Sequence, residues 1–158
     1  MKKAIVIYAT RFGNTEKIAR ALAQGMENQG VKVDCANVEE VDVDKLVEYD
    51  FLAIGGPTHM IGMSKEMKKF LKKLKAVNLR GKEGFSFDTR ISSRLNTKSW
   101  FILENSAARR IEGKMKRMKI KIVKPRQSAL VNGTEGPLED GMEGRFNQIG
   151  IEIAELIQ

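Results

Sequence analysis

The short polar stretch Thr10-Arg11-Phe12-Gly13-Asn14-Thr15 constrains this chain more than any other, because it joins two opposite patterns. The run Ala4-Ile5-Val6-Ile7-Tyr8 before it is apolar and rich in β-branched residues, which is typical of a strand buried on both faces of a parallel sheet. A helical pattern begins after it at Glu16. The stretch therefore predicts a strand-to-helix turn with free backbone N–H groups, which favours an anion and most naturally a phosphate.

This turn lacks the features of a nucleoside-triphosphate loop. The GxxxxGK[ST] spacing is absent and no lysine follows Gly13, so no side chain is placed to reach β- and γ-phosphates. A monophosphate is therefore the expected ligand. The alternative is an ordinary capped turn without a ligand, since serine, threonine and asparagine are common helix caps. The sequence allows two placements of the Arg11 side chain, over the phosphate or facing solvent.

The length and composition of the chain predict one globular domain spanning residues 1–158. The hydrophobic fraction is 42% and the charged fraction is 30%, and no apolar run approaches the ~20 residues that a membrane span requires. Lys2 and Lys3 lead directly into the first predicted strand, without the apolar segment of a signal peptide. We therefore expect a cytoplasmic protein with no membrane partner.

The single cysteine and the single histidine leave little scope for metal or thiol chemistry. Cys35 has no second cysteine for an internal disulfide, and with His59 it makes no recognisable zinc or nucleophile arrangement. We expect no metal site and no catalytic residue. Cys35 is expected to pack as a small apolar side chain near the end of a strand.

The formal net charge of +8 bears on partners rather than on fold. Eight Lys or Arg residues lie between positions 65 and 82 against one acid, and nine lie between positions 109 and 126 against another. These clusters indicate either an acidic partner or simply solvated outer faces. Aromatic residues make up only 6% of the chain, so the stacking platforms that bind single-stranded nucleic acid are missing and no nucleic-acid partner is expected.

Hydrophobic periodicity along the rest of the chain predicts alternating strands and helices. Strands are predicted at residues 4–8, 31–36, 51–54, 83–87 and 120–123. Helices are predicted at residues 16–28, 64–75, 99–118 and 146–157, with a short acidic helix or loop at 38–48. An irregular loop is predicted at 125–141, in which residues 129–131 offer one strand-like piece. This alternation predicts an α/β fold, a doubly wound five-stranded parallel sheet with helices on both faces.

Three polar loops follow strands of this predicted sheet, at residues 10–15, 57–62 and 88–98. In open parallel sheets, ligands bind outside the carboxyl ends of the strands, where the strand order reverses. We therefore expect the three loops to form one site.

Four segments, in this order along the chain, resemble the flavodoxin-like FMN proteins. The turn at residues 10–15 is similar to the family's phosphate loop, [ST]-x-x-G-N-T, and Gly55-Gly56-Pro57-Thr58 is similar to its second loop, G-[GS]-P-T. Phe87-Asp88-Thr89-Arg90 and residues 131–138 resemble segments of small single-domain relatives in archaea and bacteria. The resemblance covers nearly the whole chain and implies strand order 2-1-3-4-5, with FMN between the first and third strands.

The resemblance also implies which residues hold FMN. The first turn would bind the phosphate and the other two loops would flank the ring, where His59 is expected to contact the ring or to hydrogen-bond its edge. Flavodoxins commonly stack aromatic side chains on the ring, which these two loops lack. Trp100 could approach the flavin, but its helical spacing with Leu103 favours the interpretation as a core residue. The implied FMN-binding residues are Thr10, Arg11, Phe12, Gly13, Asn14, Thr15, Pro57, Thr58, His59, Met60, Ile61, Gly62, Asp88, Thr89 and Arg90.

Three functions compete on this basis. The first is an FMN-binding electron-transfer protein, which tunes the flavin by stacking, hydrogen bonds and local charge. Flavodoxins are usually acidic and this chain is basic, so the expected redox partner is an acidic ferredoxin- or rubredoxin-like protein. The second is an FMN-dependent oxidoreductase that acts on a small molecule such as a quinone or porphyrinogen. The third is a basic binding module that has lost the flavin.

Overall fold

The computed structural model describes residues 2–59 and 62–157. Its strands are β1 Lys3–Tyr8, β2 Lys32–Asn37, β3 Phe51–Pro57, β4 Glu83–Ile91, β5 Lys121–Ile122 and β6 Gln127–Val131. Its α-helices are α1 Asn14–Glu27, α2 Lys65–Leu74, α3 Trp100–Glu104, α4 Ala107–Arg117 and α5 Met142–Ile157. Short 3-10 helices lie at Val43–Glu48 and Ser92–Leu95.

All strand pairs in the sheet are parallel, and the order is β2-β1-β3-β4, with β5 and β6 both beside β4. This arrangement confirms the predicted doubly wound fold and strand order, and it adds a sixth strand. The fifth position is split because Pro125 has no N–H to donate to a neighbouring strand. The next N–H, that of Arg126, bonds the carboxylate of Glu112 on α4 at 3.2 Å instead of β4.

Helices cover both faces of the sheet, as predicted. One buried cluster joins α1 and α5 to alternate residues of β1, including Ala4 and Val6. The other joins α2 and α4 to the remaining residues of β1, including Ile5 and Ile7. The first strand is therefore buried on both faces, which explains its continuous apolar sequence.

Glycines allow α1 and α5 to pack closely against each other. A Cβ added at Gly25 of α1 would overlap the backbone carbonyl of Asn147, and one added at Gly150 of α5 would overlap the carbonyl of Leu22. The two helix backbones therefore approach more closely than any larger residue at these positions permits.

Several predicted boundaries are wrong. Strand β3 does not end at Ile54 but continues to Pro57, because its last residues pair with β4. Helix α5 begins at Met142 rather than Phe146, and the strand-like piece predicted at residues 129–131 is the longer strand β6.

Strand β4 does not end at Phe87 but continues to Ile91, because its last residues pair with β6, for example Asp88 with Ser128. The helix predicted at residues 99–118 is two helices, because the side chain of Ser106 accepts from the N–H of Arg109 and starts α4 anew.

Trp100 does not belong to the core. Its side chain is 67% exposed on α3, so its interpretation as a core residue is wrong. Helical spacing with Leu103 is present, but Leu103 is itself 37% exposed.

Within residues 2–59 and 62–157, none of the helices has both the length and the apolar character needed to span a bilayer. In the same part of the chain, no group of three or more His, Cys, Asp or Glu residues is arranged to hold a metal ion.

Candidate functional site

The turn after β1 leaves the N-terminus of α1 without a side-chain cap. Gly13 is the N-cap residue, with φ 90°, a left-handed conformation in which a side chain is strained. Its own N–H bonds the hydroxyl of Thr10 at 3.0 Å. The N–H groups of the first helical turn, from Asn14 to Glu16, therefore have no intrahelical acceptor and are open to an anion.

The loops at the carboxyl edge of the sheet meet at this turn and enclose a cleft of about 210 Å³. The cleft lies beyond the ends of β1, β3 and β4, where the strand order reverses. The segment after β6 closes one side. The lining residues are Thr10, Arg11, Phe12, Asn14, Thr15, Pro57, Thr58, His59, Thr89, Ile91, Arg94, Val131 and Thr134.

Most of the residues predicted from the sequence lie in this cleft, but six do not appear in its lining. Gly13 shapes the turn, and Gly62 is buried beside the side chain of Arg110. Asp88 and Arg90 belong to β4 and face other groups, as described below. Met60 and Ile61 lie outside the described residues.

Four lining residues were not singled out from the sequence: Ile91, Arg94, Val131 and Thr134. A signal for two of them was available, since Val131 and Thr134 lie within the fourth segment that resembles the flavodoxins. Arg94 lies in the predicted polar loop at residues 88–98, but an exposed arginine in a loop has no pattern that marks it as a site residue.

Two predicted phosphate ligands also make structural contacts. The hydroxyl of Thr15 lies 3.0 Å from the hydroxyl of Thr89 on β4, and both residues are buried. The side-chain amide of Asn14 donates to the backbone carbonyl of Glu135 at 3.1 Å. These bonds fasten the start of α1 to the end of β4 and to the segment after β6, so they hold three walls of the cleft in register.

Asp88 is a buried carboxyl group behind the cleft. Its Oδ2 accepts from the hydroxyl of Thr58 at 2.8 Å and from the N–H of Ala108 at 3.1 Å. Its Oδ1 has no hydrogen-bond partner among the described residues. Burial raises the pKa of Asp88 above its ordinary value, although the nearby hydroxyl of Ser128, which makes no hydrogen bond to Oδ1, and the two bonds to Oδ2 oppose that rise. Asp88 therefore positions Thr58, a lining residue, against the start of α4.

Arg90 also faces away from the cleft. Its guanidinium donates to the backbone carbonyls of Leu103 and Ile102, each at 2.9 Å. These two carbonyls belong to the last turn of α3 and would otherwise lack hydrogen-bond donors. Arg90 therefore anchors α3 to the end of β4.

The charge of the cleft lining is positive. Arg11 and Arg94 contribute cations, His59 adds an imidazole, and no aspartate or glutamate is present among the described lining residues. The one aromatic residue among them is Phe12, whose ring is 43% exposed and lies 5.1 Å from the guanidinium carbon of Arg11. The cleft thus suits an anionic ligand.

Comparison with known proteins places this architecture in a family. The family model for flavodoxin matches residues 6–149. The chain belongs to the flavodoxin family. The predicted family is therefore confirmed, and its cofactor is the predicted FMN.

Individual flavodoxins match the chain at moderate identity. The flavodoxin of Clostridium saccharobutylicum is 33% identical over 88 residues, which are 55% of this chain and 55% of that protein. The flavodoxin of Aquifex aeolicus is 41% identical over 71 residues, 44% of this chain and 38% of that protein. The chain therefore spans about half the length of the curated relatives it matches, or less.

A solved structure matches over nearly the full length. A flavodoxin from the domain Archaea is 30% identical and has a TM-score of 0.81, with 98% of each chain covered. This structural match covers a larger share of the chain than the matches to the curated relatives do.

The residues of the cleft fit FMN. In the flavodoxin-like strand order, FMN binds at the switch point between β1 and β3, which is where this cleft lies. The open N–H groups at the start of α1 match a terminal phosphate, and Thr10 and Thr15 place hydroxyl-bearing side chains in the same lining. Pro57 and His59, at and after the end of β3, and Ile91 and Arg94, at and after the end of β4, would form the side walls for the ring.

Proposed function

We propose that this protein is an FMN-binding electron carrier. The observation that carries the proposal is the uncapped N-terminus of α1, which opens into a cleft lined by threonines and arginines without a carboxylate. Bound FMN supplies the electron-accepting and electron-donating chemistry through its ring. The protein supplies the site that binds and orients it.

Each part of the cleft would have a distinct task in this proposal. The N–H groups of Asn14, Thr15 and Glu16 would bind the phosphate, with the positive end of α1 favouring its charge. The Thr15–Thr89 contact and the Asn14–Glu135 bond would hold the phosphate site against the rest of the cleft. Arg94 would place a positive charge beside the ring.

A second candidate function is an FMN-dependent oxidoreductase that acts on a small molecule such as a quinone or porphyrinogen. A neighbouring cleft of about 390 Å³ favours it, because this cleft shares Thr10, Arg11, Pro57 and His59 with the first. Residues 64–66 also line this second cleft, which would offer room for a substrate next to the flavin. Catalytic turnover of menadione with a chemical reductant, inhibited by substitutions at Glu39 or Lys65, would distinguish this candidate from a carrier.

The proposed redox partner is an acidic ferredoxin- or rubredoxin-like protein. Helix α2 exposes Lys65, Lys68, Lys69, Lys72 and Lys73, and none of them forms an ion pair with a described residue. Unpaired exposed cations attract an acidic protein over distances of about a Debye length, ~10 Å at 0.1 M salt. The cytoplasmic location expected from the sequence stays a prediction.

Titration of the apoprotein with flavins tests the proposed function. We expect the fluorescence of FMN to be quenched when it binds to the protein. FMN should bind more tightly than riboflavin, which lacks the phosphate, and more tightly than FAD, because the sequence shows no motif for a second nucleotide. The Asn14→Ala, Thr15→Ala double variant should lose about two or more orders of magnitude in FMN affinity, because the two side chains would add their own bonds to the phosphate beside those of the backbone N–H groups, and bonds to charged groups contribute ~1.5–3 kcal/mol each. Its riboflavin affinity should change much less.

Equal affinity for riboflavin and FMN would contradict the phosphate site. A purified protein that binds neither flavin would leave the third function, a flavin-free basic module. Circular dichroism of the double variant serves as the control for folding.

A further inference from the structure

Helix α3 exposes a cluster of large apolar side chains. Trp100 is 67% exposed, Phe101 is 53% exposed and Leu103 is 37% exposed. Burying large apolar side chains from water is favourable, so their exposure together on one short helix indicates a contact surface.

The exposure does not result from a loosely attached segment. Arg90 of β4 donates to the carbonyls of Ile102 and Leu103 at 2.9 Å each, and the N–H of Ile102 bonds the side chain of Ser99 at 3.4 Å. The helix is therefore anchored to β4 at its C-terminal end and capped by Ser99 at its N-terminus, while Trp100 and Phe101 are exposed. A pre-organised aromatic pair loses little conformational entropy when a partner covers it.

Positive charges surround these apolar side chains. Arg94, Lys98, Arg109 and Arg110 are exposed, and none forms an ion pair with a described residue. The guanidinium of Arg109 lies 5.9 Å from the centre of the Trp100 ring. The carboxylate of α3 itself, Glu104, lies 3.6 Å from Arg126 and is thereby partly neutralised.

This region adjoins the candidate FMN cleft. Arg94 lines the cleft, and a small hollow lined by Thr58, Arg94 and Ile102 connects the cleft wall to α3. A protein seated on α3 would therefore lie beside the flavin, which electron exchange requires.

We propose that the α3 surface, defined here as Trp100, Phe101, Leu103, Lys98 and Arg109, is the docking site for an acidic redox protein. The proposal rests on the proposed function, because it assumes FMN in the neighbouring cleft. Aromatic and arginine side chains dominate the energetics of protein interfaces, and unpaired cations around them favour a partner with exposed carboxylates.

A different occupant of the α3 surface and a different docking surface both fit less well. A second copy of the chain would bring like charges together, because a two-fold interface places each patch against itself. The outer face of α2 has lysines but no exposed apolar side chain, since Met67, Phe70, Leu71 and Leu74 are all buried. The α2 lysines therefore attract the partner, and the α3 surface makes the contact.

The fluorescence of Trp100, the single tryptophan of the chain, reports directly on this docking. The probe is a bacterial 2[4Fe–4S] ferredoxin, an acidic iron–sulfur protein, added to the purified protein at 10 mM salt. We expect saturable quenching of the tryptophan emission that disappears at 0.5 M salt. Absence of quenching at low salt, with ferredoxin at concentrations up to 0.1 mM, would overturn the proposal.

Charge and apolar variants then separate the α3 surface from the rest of the molecule. Lys98→Glu with Arg109→Glu should weaken ferredoxin binding at least tenfold at low salt. The matched control is Lys32→Glu with Arg80→Glu, which changes net charge equally at the amino edge of the sheet, and it should weaken binding no more than threefold. Equal losses in the two double variants would overturn the proposal.

The apolar part is tested by Phe101→Ala, with Leu156→Ala as control because Leu156 is 54% exposed on α5, outside the α3 surface. Phe101→Ala should weaken binding about fivefold at every salt concentration, and Leu156→Ala should leave it unchanged. Concentration-dependent dimerisation of the protein alone that shifts the Trp100 emission would assign this face to a second copy instead, and so overturn the proposal. Unchanged FMN affinity in all four variants keeps the outcome separate from that of the proposed function.

Discussion

The hydroxyl oxygens of Thr15 and Thr89 lie 3.0 Å apart, and this contact joins the first turn of α1 to the end of β4. Both residues are buried, with exposed fractions of 1% and 5%. The helix that would bind the phosphate and the strand that leads to the third loop of the cleft are thus held together by one hydrogen bond.

Replacing either threonine by valine should destabilise the protein by about 1–3 kcal/mol, because the remaining hydroxyl loses its buried partner. The double variant should lose less than the sum of the two single variants, since no unpaired hydroxyl is left. Urea unfolding of the four proteins gives the coupling energy. Strict additivity would show that the two hydroxyls do not depend on each other.

Asp88 should make the stability of the protein fall as the pH rises. Its pKa is raised by burial, so the native state binds this proton more tightly than the unfolded chain, whose aspartates titrate near 3.9. The free energy of unfolding therefore decreases between pH ~3.9 and the raised pKa of Asp88, and remains lower above it. Asp88→Asn should remove this contribution while its amide oxygen still accepts from Thr58 and Ala108.

The measurement is the free energy of unfolding of both proteins at several pH values from 4 to 8. The difference between them isolates Asp88, because all other titrating groups are shared. A difference that does not change with pH would contradict a raised pKa.

Gly25→Ala should destabilise the protein by about 1–3 kcal/mol or more, because the added methyl group overlaps the backbone of α5. Gly113→Ala is the matched control, since Gly113 lies inside α4 with no atom within 4 Å of the added Cβ. The control should stabilise the protein by up to ~1 kcal/mol through helix propensity. Thermal unfolding of both variants distinguishes the packing effect from the propensity effect, and stabilisation by both would contradict the close contact.

Electron transfer from an acidic donor should slow as salt is added. The exposed lysines of α2 act over a Debye length that shrinks from ~30 Å at 0.01 M to ~10 Å at 0.1 M salt. Lys65→Glu with Lys68→Glu should slow the reaction further at low salt, and the two curves should converge at high salt. Stopped-flow reduction of the flavin by ferredoxin measures both effects, and a rate independent of salt would show that these lysines are only a solvated face.

Cys35 should be unreactive in the native protein. Burial raises the pKa of its thiol to about 11, so the thiolate fraction at pH 8 falls by about two orders of magnitude relative to a free cysteine. Alkylation with iodoacetamide should be correspondingly slow in buffer and fast in urea. Equal rates in the two conditions would mean that the thiol is accessible and ionised.

Most of the fold could be predicted from the sequence because its strands and helices are marked by patterns within short stretches of the chain. The apolar run of β1, the periodicity of α1 and the apolar start of β3 at Phe51-Leu52-Ala53-Ile54 each depend on neighbouring residues alone. The end of β4 could not be predicted in this way. Asp88 is polar and suggests a loop, but in the fold it is buried as the acceptor for Thr58 and for the start of α4, residues distant in sequence.

The candidate site, like the fold, could be predicted from the sequence only in part. The turn at residues 10–15 is recognisable because a phosphate-binding turn needs small and hydroxyl-bearing residues in sequence. Arg90 and Arg94 are four positions apart in one polar segment, yet Arg90 bonds α3 and Arg94 lines the cleft. The direction of a long side chain depends on the tertiary surroundings, which neither composition nor spacing contains.

The glycine contact between α1 and α5 also has a consequence for synthesis of the chain on the ribosome. Helix α1 is made early, whereas the helix that covers it, α5, ends at Ile157. At ~5–20 residues per second, α1 waits on the order of ten seconds with its apolar face uncovered. The helix that carries the candidate phosphate site therefore reaches its final packing against α5 only once residues 142–157 have been made.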